Sequence, residues 1–263
     1  MHAVRLTNFV ANALTVLAVG VLLVAALVWV FRRPYFLIER VLLESAASGS
    51  LQYVQVEDIS SAINGKQIGG FFDVDLDGVR SSFEQVPWVR RAEVKREWPN
   101  QLRVSIEEQE PLAFWNDEQM INRWGEVFTA DKTQLLAKGG AEHLPQLNGP
   151  DNSERLVIQR YAEVAQRFAP TGLTIRQVTL SPRYAWDVVL SDGLQVLIGR
   201  DPAAEATDPH GRSGAQSFAS RLERFLHAWP TLTQRLAGRT IARADLRYND
   251  GFAITLAPLP NSE

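Results

Sequence analysis

The sequence predicts an α+β protein made of a single N-terminal transmembrane helix, a small β-α-α-β-β domain, and a mostly antiparallel β-domain with two helices. Three observations lead to this fold class. Residues 9–31 form one long apolar run. An amphipathic stretch and two alternating segments follow within residues 76–108. From Pro111 onward, short apolar segments alternate with turn residues, and two stretches of helical periodicity interrupt them.

Composition excludes several classes of function. The 263 residues allow one or two globular domains. The formal net charge of -3 provides no overall basic field, which argues against a nucleic-acid partner. The chain contains no Cys, so disulfides, thiolate metal sites and Cys nucleophiles are excluded. The histidines are scattered without metal-ligand spacing, at His2, His143, His210 and His227.

The run FVANALTVLAVGVLLVAALVWVF at residues 9–31 predicts a membrane anchor that follows a short tail at residues 1–8. At about 1.5 Å per helical residue, the run is long enough for a hydrocarbon core of about 30 Å. It exceeds the apolar core of a signal peptide, and no small-x-small cleavage site lies between its end and the pair Arg32-Arg33. We therefore expect an uncleaved anchor. Basic residues are nearly balanced on the two sides, so the positive-inside rule does not decide its orientation.

The segment after the anchor predicts the order strand, helix, helix, strand, strand. Tyr35–Glu44 is partly alternating, and Val56–Gly65 has the pattern of a short helix with an Asn-Gly end. A second helix is predicted from the apolar spacing of Leu76, Val79, Phe83 and Val86, and Pro87 ends it. The stretches at residues 88–98 and 101–108 alternate around the turn Trp98-Pro99-Asn100, which predicts a β-hairpin.

The stretch DVDLDGVRSSFE, Asp73–Glu84, matches the spacing of an EF-hand calcium loop. The alternative is a capped helix start. A calcium loop needs a helix on each side, yet glycines precede this stretch and Pro87 follows it closely. Capping by Asp73 or Asp75 also explains the apolar stripe that runs through the supposed loop. We therefore expect a helix cap and no metal site.

The remaining chain predicts two hairpins and two helices. The hairpins are Trp186–Ile198, around Asp192-Gly193, and Ala244–Leu256, around residues 249–251. One helix is Ser153–Phe168, with Ser153 as its N-cap. The other is Ser217–Trp229, and we expect Pro230 to end it. Residues 259–263 are predicted to be a disordered tail.

No catalytic constellation is present. Glu107 and Glu108 lie on opposite faces of a strand, and neither a Gly-x-Ser-x-Gly elbow nor a phosphate-binding loop occurs. We expect no catalytic residue and no cofactor. The last hairpin suggests another activity, because a terminal strand can leave its edge open to an extended partner segment. The alternative is that this strand is internal, or that Pro258 and Pro260 protect it.

Three stretches together resemble the FtsQ/DivIB family of bacterial cell-division proteins. They are VPWVRRAEVKREWPNQLRVSIEEQEPLAFW, LPQLNGP and ADLRYNDGFAITLAPLP, and the resemblance extends over nearly the whole chain after the anchor. It implies a POTRA domain at residues 35–110 and an FtsQ-type β-domain at residues 111–258. It also implies a single-pass inner-membrane protein at the division septum, with a cytoplasmic N-terminus and both domains in the periplasm.

The resemblance further implies a scaffold without enzymatic activity. Such a scaffold binds FtsB and FtsL, and these link it to the septal peptidoglycan synthase FtsW–FtsI. Two alternatives remain. One is another POTRA-bearing membrane protein that handles polypeptide transport or assembly, although such proteins usually carry several POTRA units or a barrel. The other is an anchored periplasmic enzyme, against which the missing catalytic constellation argues.

In the family, the terminal strand region pairs with a strand of FtsB. Transferred to this chain, the implied partner-binding residues are Arg200, Arg247, Tyr248, Asp250, Gly251, Phe252, Ile254 and Leu256. Tyr248 would pack on the partner strand, Gly251 would allow close backbone approach, and the two arginines would pair with partner carboxylates. Asp250 stands where a Ser is frequent, and Leu256 where a Trp is common. These departures concern side-chain contacts, whereas main-chain pairing needs only an open edge.

Overall fold

A computed structural model describes residues 2–31, 37–47, 49–63, 70–201, 217–236 and 238–258. The chain divides into two compact units, Met1–Gln109 and Glu110–Glu263. The predicted tail at residues 259–263, and the first residues of the predicted strand at Tyr35, lie outside the described residues.

The first unit begins with helix α1, His2–Phe31, which includes the apolar run. Among the described residues, no helix combines the length and the apolar character that a membrane crossing requires. The anchor at residues 9–31 and the tail at residues 1–8 therefore stay predictions.

A three-stranded sheet and two helices follow in the order that the sequence predicts. The elements are β1 (Arg40–Ser45), α2 (Val56–Ile63), α3 (Leu76–Glu84), β2 (Val89–Glu97) and β3 (Gln101–Glu108). Strand β3 is central, parallel to β1 and antiparallel to β2. The hairpin of β2 and β3 and the second helix confirm the predictions from alternation and apolar spacing.

Alternation in β3 places Leu102, Val104 and Ile106 on one face, and all three are fully buried. Phe83 of α3 is also fully buried, and α3 packs on β2. Each buried side chain of this size removes apolar surface worth about 2 kcal/mol from water. The helix on one face of the sheet therefore supplies much of the core of this small unit.

The start of α3 confirms the capping interpretation of the calcium-like stretch. The side chain of Asp75 accepts a hydrogen bond of 3.0 Å from the backbone N–H of Gly78. Asp73 accepts one of 2.6 Å from the N–H of Gly70, within a turn at residues 71–73. Both carboxylates are thus engaged in ending a turn and starting a helix.

The second unit contains a nine-stranded sheet. Its strands are β4 (Pro111–Trp115), β5 (Gln119–Asn122), β6 (Val127–Phe128), β7 (Gln146–Asn148), β8 (Ile175–Leu180), β9 (Ala185–Leu190), β10 (Gln195–Arg200), β11 (Ile241–Asp245) and β12 (Ala253–Leu256). The spatial order is β12-β11-β10-β9-β8-β7-β4-β5-β6. Both predicted hairpins, β9 with β10 and β11 with β12, are antiparallel pairs.

Three neighbouring strand pairs are parallel, namely β4 with β7, β7 with β8, and β10 with β11. Parallel neighbours require a crossover connection, and each of these connections contains a helix. The helices are α4 (Lys132–Ala137), α5 (Glu154–Phe168) and α6 (Phe218–Arg235). The described part of this unit thus has one α-helix more than the two predicted, because α4 is too short to show periodicity.

Alternation gives the sheet two different faces. One face is apolar and packs against α5 and α6, through residues that include Val178, Val188, Val196 and Ala244. The register places Thr179, Asp187, Asp245 and Ala253 on the other face, which is mostly polar. The core of this unit therefore lies between the sheet and its two long helices.

One prediction about helix ends was wrong, and another was confirmed for the N-cap residue but not for its side chain. Pro230 does not end α6, which continues to Arg235 because Leu232 and Leu236 still pack on the core. Burial of these side chains offsets the lost backbone hydrogen bond. Ser153 precedes α5 but does not cap it with its side chain. Its hydroxyl instead donates a hydrogen bond of 2.6 Å to the carbonyl oxygen of Pro150.

Candidate functional site

Strand β12 lies at one end of the nine-stranded sheet, and in the described part of the chain only β11 pairs with it. Backbone groups on its outer side therefore have no sheet partner there, and they form a template for another extended strand. The opposite end of the sheet is β6, which has only two residues. Such a short strand offers little for pairing, so β12 is the more capable edge of this unit.

The side chains of β12 alternate between two environments. Ile254 and Leu256 are partly buried and pack against the core, whereas Ala253 and Thr255 are exposed. The ring of Phe252, just before the strand, meets Phe225 of α6 edge-on, with centroids 5.4 Å apart. The predicted site residues Phe252, Ile254 and Leu256 thus hold the strand on the domain, and the exposed outward-facing side chains are small.

Sequence reasoning missed Ala253 and Thr255 as surface positions of this edge. The alternation in FAITL was a signal that could have identified them, because alternate residues of a strand face opposite sides. Neither side chain is charged. Many exposed edge strands carry charged side chains that discourage pairing with another strand. The exposed side chains of β12 are uncharged, so they do not oppose the addition of a strand.

Arg224 of α6 holds the loop that leads into β12. Its Nη1 lies 2.9 Å from the carbonyl oxygen of Asn249 and 3.2 Å from that of Gly251, with the carbonyl oxygen of Tyr248 at 3.5 Å. Several carbonyl dipoles therefore converge on one cation. Sequence reasoning did not identify Arg224, because nothing in the local pattern of α6 points to a loop that lies 24 to 27 residues away.

Tyr248, on the loop that Arg224 holds, is 57% exposed. A shallow cavity of about 390 Å³ opens beside it. The cavity is lined by Tyr248, Asn249, Asp250, Gly251, Phe252 and Ala253. Four of the predicted site residues thus meet in one continuous surface next to the edge.

Arg247 is paired within the chain. Its Nε and Nη2 donate hydrogen bonds of 2.8 and 2.6 Å to the two carboxylate oxygens of Asp245. The hydrogen bonds from Arg247 lower the pKa of the Asp245 carboxyl, and the same contact raises the pKa of Arg247. A partner carboxylate would have to share or displace this bidentate pair.

Gly199 at the end of β10 explains how Arg247 reaches its position. Its φ of +81° suits glycine, and a Cβ there would lie only 2.8 Å from Cγ of Arg247. The stem of Arg247 thus lies over Gly199, directly beside the exposed Arg200. Arg221 of α6 donates hydrogen bonds to the carbonyl oxygens of Ile198 and Arg200, and burial lowers its pKa.

Within the described ranges, no group of three or more His, Asp or Glu side chains could hold a metal ion. A second cavity of about 600 Å³ is lined by residues that include His143, Tyr161 and Arg176, and it shares none with the β12 edge. Burial raises the pKa of the Tyr161 hydroxyl.

Comparison with known proteins identifies both units. Residues 113–247 match the family model described as cell division protein FtsQ/DivIB, C-terminal. Residues 47–109 match that of the POTRA domain, FtsQ-type.

Three similar proteins carry the name cell division protein FtsQ. The one from Bordetella pertussis is 52% identical, over 97% of this chain and 93% of its own length. The one from Burkholderia pseudomallei is 40% identical over the same shares. The one from Escherichia coli is 29% identical, over 82% of this chain and 73% of its own. This chain therefore belongs to the FtsQ/DivIB family of cell division proteins.

Proposed function

We infer that this protein is a non-enzymatic scaffold of the bacterial division complex. It binds FtsB, together with FtsL, by adding a strand of FtsB to β12, and it thereby connects them to FtsW and FtsI. The observation that carries the proposal is the edge position of β12 in the described sheet. Main-chain hydrogen bonds along that edge would give affinity, and the surface around Tyr248 would give specificity.

The other sheet edges support this choice of strand. The N–H of Ala92 on β2 already donates to Glu84 of α3 at 3.2 Å, so α3 occupies part of that edge. Strand β1 carries the charged residues Arg40 and Glu44 at exposed positions. Charged residues on an edge discourage strand pairing, whereas the exposed positions of β12 are uncharged.

The same proposal places the protein in the inner membrane at the septum, with both globular units in the periplasm. Helix α1 supports an anchor because Val21, Leu22, Leu23 and Val24 are all exposed large apolar residues. Four successive residues point to all sides of a helix, so this part of α1 is apolar all round, a pattern typical of a membrane span. A fluorescent fusion to the full chain should concentrate at midcell, and an even distribution around the cell would contradict the septal assignment.

Co-purification with FtsB and FtsL from detergent-solubilised membranes tests the binding site. Tyr248→Ala should weaken or abolish recovery of FtsB, and so should Ile254→Pro, because the N–H of Ile254 faces away from β11 and proline removes this backbone donor from the open edge. Tyr184→Ala is the matched control, since Tyr184 is an exposed tyrosine on another loop of the same unit. Circular dichroism must show that each variant is folded. Normal recovery of FtsB by both edge variants would refute the proposal.

A further inference from the structure

The first unit exposes a cluster of aromatic rings, here called the aromatic patch, that consists of Phe71, Phe72 and Trp98. Phe71 meets Phe72 and Trp98 edge-on, with ring centroids 5.3 and 5.6 Å away. Phe72 is 48% exposed and Trp98 is 64% exposed. Two of these three adjoining rings keep about half or more of their surface in water, and an exposed apolar patch of this kind indicates a binding surface.

The patch lies at the end of the sheet where the chain enters the domain. Trp98 belongs to the turn between β2 and β3, and the N–H of Glu39, just before β1, donates to the carbonyl oxygen of Asn100 in that turn at 3.0 Å. Leu37, itself exposed, forms a β-bridge with Gly70, next to Phe71. Two independent contacts thus bring the start of the domain to the aromatic rings.

The length of the connection limits how far the patch can be from α1. Only five residues lie between Phe31, the last residue of α1, and Leu37, so the connection consists of six residue-to-residue steps. A fully extended chain covers at most about 3.5 Å per residue, so the ends of this connection are no more than about 21 Å apart. If α1 anchors the chain, the patch is held close to the membrane surface.

We propose that the aromatic patch inserts into the interfacial layer of the bilayer that holds α1. The proposal rests on the anchor that forms part of the proposed function. Tryptophan and other aromatic side chains favour this layer, where apolar ring surface meets headgroups. The occupant is therefore a phospholipid surface, and insertion would keep the POTRA unit against the membrane instead of leaving it free on a tether.

Site-directed spin labelling tests the proposal on the full chain, because the sequence contains no Cys that would compete for the label. The variants Phe72→Cys, Val56→Cys and Val21→Cys are labelled and reconstituted into vesicles of phosphatidylethanolamine and phosphatidylglycerol. Accessibility to dissolved oxygen and to a water-soluble nickel chelate is then measured. Val56 is the matched control, being 69% exposed at the start of α2 in the same unit.

The label at position 72 should be less accessible to the nickel chelate and more accessible to oxygen than the label at position 56. Equal accessibility at the two positions would overturn the proposal. A protein would then be the alternative ligand of the aromatic patch. Trp98→Cys repeats the measurement if Phe72→Cys does not fold. A water-accessible label at Val21 would instead refute the anchor, and normal recovery of FtsB by the Phe72 variant separates this surface from the β12 edge.

Discussion

Arg224 on α6 donates a hydrogen bond of 2.9 Å from Nη1 to the carbonyl oxygen of Asn249. The same nitrogen reaches the carbonyl oxygen of Gly251 at 3.2 Å. A single helix residue therefore positions the backbone on both sides of Asp250. The loop that displays Tyr248 is thereby held in one conformation before any partner arrives, which lowers the entropy lost on binding.

Arg224→Ala should lower the affinity for FtsB, although Arg224 itself presents no predicted partner contact. Hydrogen bonds that involve a charged donor contribute about 2 kcal/mol, so we expect a loss of unfolding free energy of that order. Arg235→Ala is the control, since Arg235 is exposed in the last turn of the same helix. Titration calorimetry with an FtsB peptide and chemical denaturation measure the two effects. An unchanged affinity for the Ala variant would show that the clamp does not position the site.

Gly199→Ala should destabilise the second unit more than Gly193→Ala does. Both glycines have positive φ, at +81° and +89°, so both substitutions carry a similar backbone cost of about 1 kcal/mol. A Cβ on Gly193 meets no atom within 4 Å, whereas one on Gly199 would approach Arg247 at 2.8 Å and Arg221 at 3.1 Å. The difference between the melting temperatures of the two variants thus measures the cost of moving the side chains of Arg247 and Arg221. Equal losses would mean that both side chains adjust freely.

The Asp245–Arg247 pair should stabilise the unit at neutral pH and lose its effect in acid. The pKa of Asp245 is lower in the folded chain than the ordinary value of about 3.9. The contribution is therefore complete above that ordinary pKa, and it disappears as the pH falls through the lowered value. Denaturation of Asp245→Asn should show a deficit against the unsubstituted chain at pH 7 that shrinks below about pH 4. The exposed Asp151→Asn is the control, and a deficit that persists unchanged into acid would contradict the assignment.

Asp75→Ala should cost about 1 kcal/mol of stability in the first unit, because it removes the cap of α3. Asp77→Ala is the control, since Asp77 lies in the first turn of the same helix and forms an ion pair with the exposed Arg80 at 3.3 Å. Thermal denaturation measures both. Calcium at millimolar concentration should leave the melting temperature of the unsubstituted chain unchanged, and binding at lower concentrations would revive the calcium interpretation of Asp73–Glu84.

Local pattern was sufficient for much of the fold. The β2–β3 hairpin and α3 follow from alternation, apolar spacing and Pro87, all of which act within a few residues. Strand β7 was not predicted because its three residues, Gln146–Asn148, are too few to show a period, and parallel neighbours far along the chain hold it. The prediction that Pro230 ends α6 failed for a similar reason, because packing of α6 on the sheet outweighs the local effect of the proline.

In the candidate site, too, the local features were predictable from the sequence and the long-range contacts were not. Tyr248 and Gly251 lie in a turn whose composition marks it, and the hairpin around them was predicted correctly. The contacts that shape this turn come from elsewhere in the chain, from Arg224 on α6 and from Gly199 on β10. Such contacts depend on elements that meet only after folding, so no pattern near residue 250 could reveal them.

The alternation in β12 also constrains the sequence of whatever binds there. An added segment would become the tenth strand, with its side chains falling in turn beside Ala253 and Thr255 on one face and beside Ile254 and Leu256 on the other. The first face is polar, and the second continues the helix-covered core. A segment that binds well should therefore alternate polar and apolar residues. A shift of its register by one residue would place every side chain on the wrong face, so it should abolish binding although the composition is unchanged.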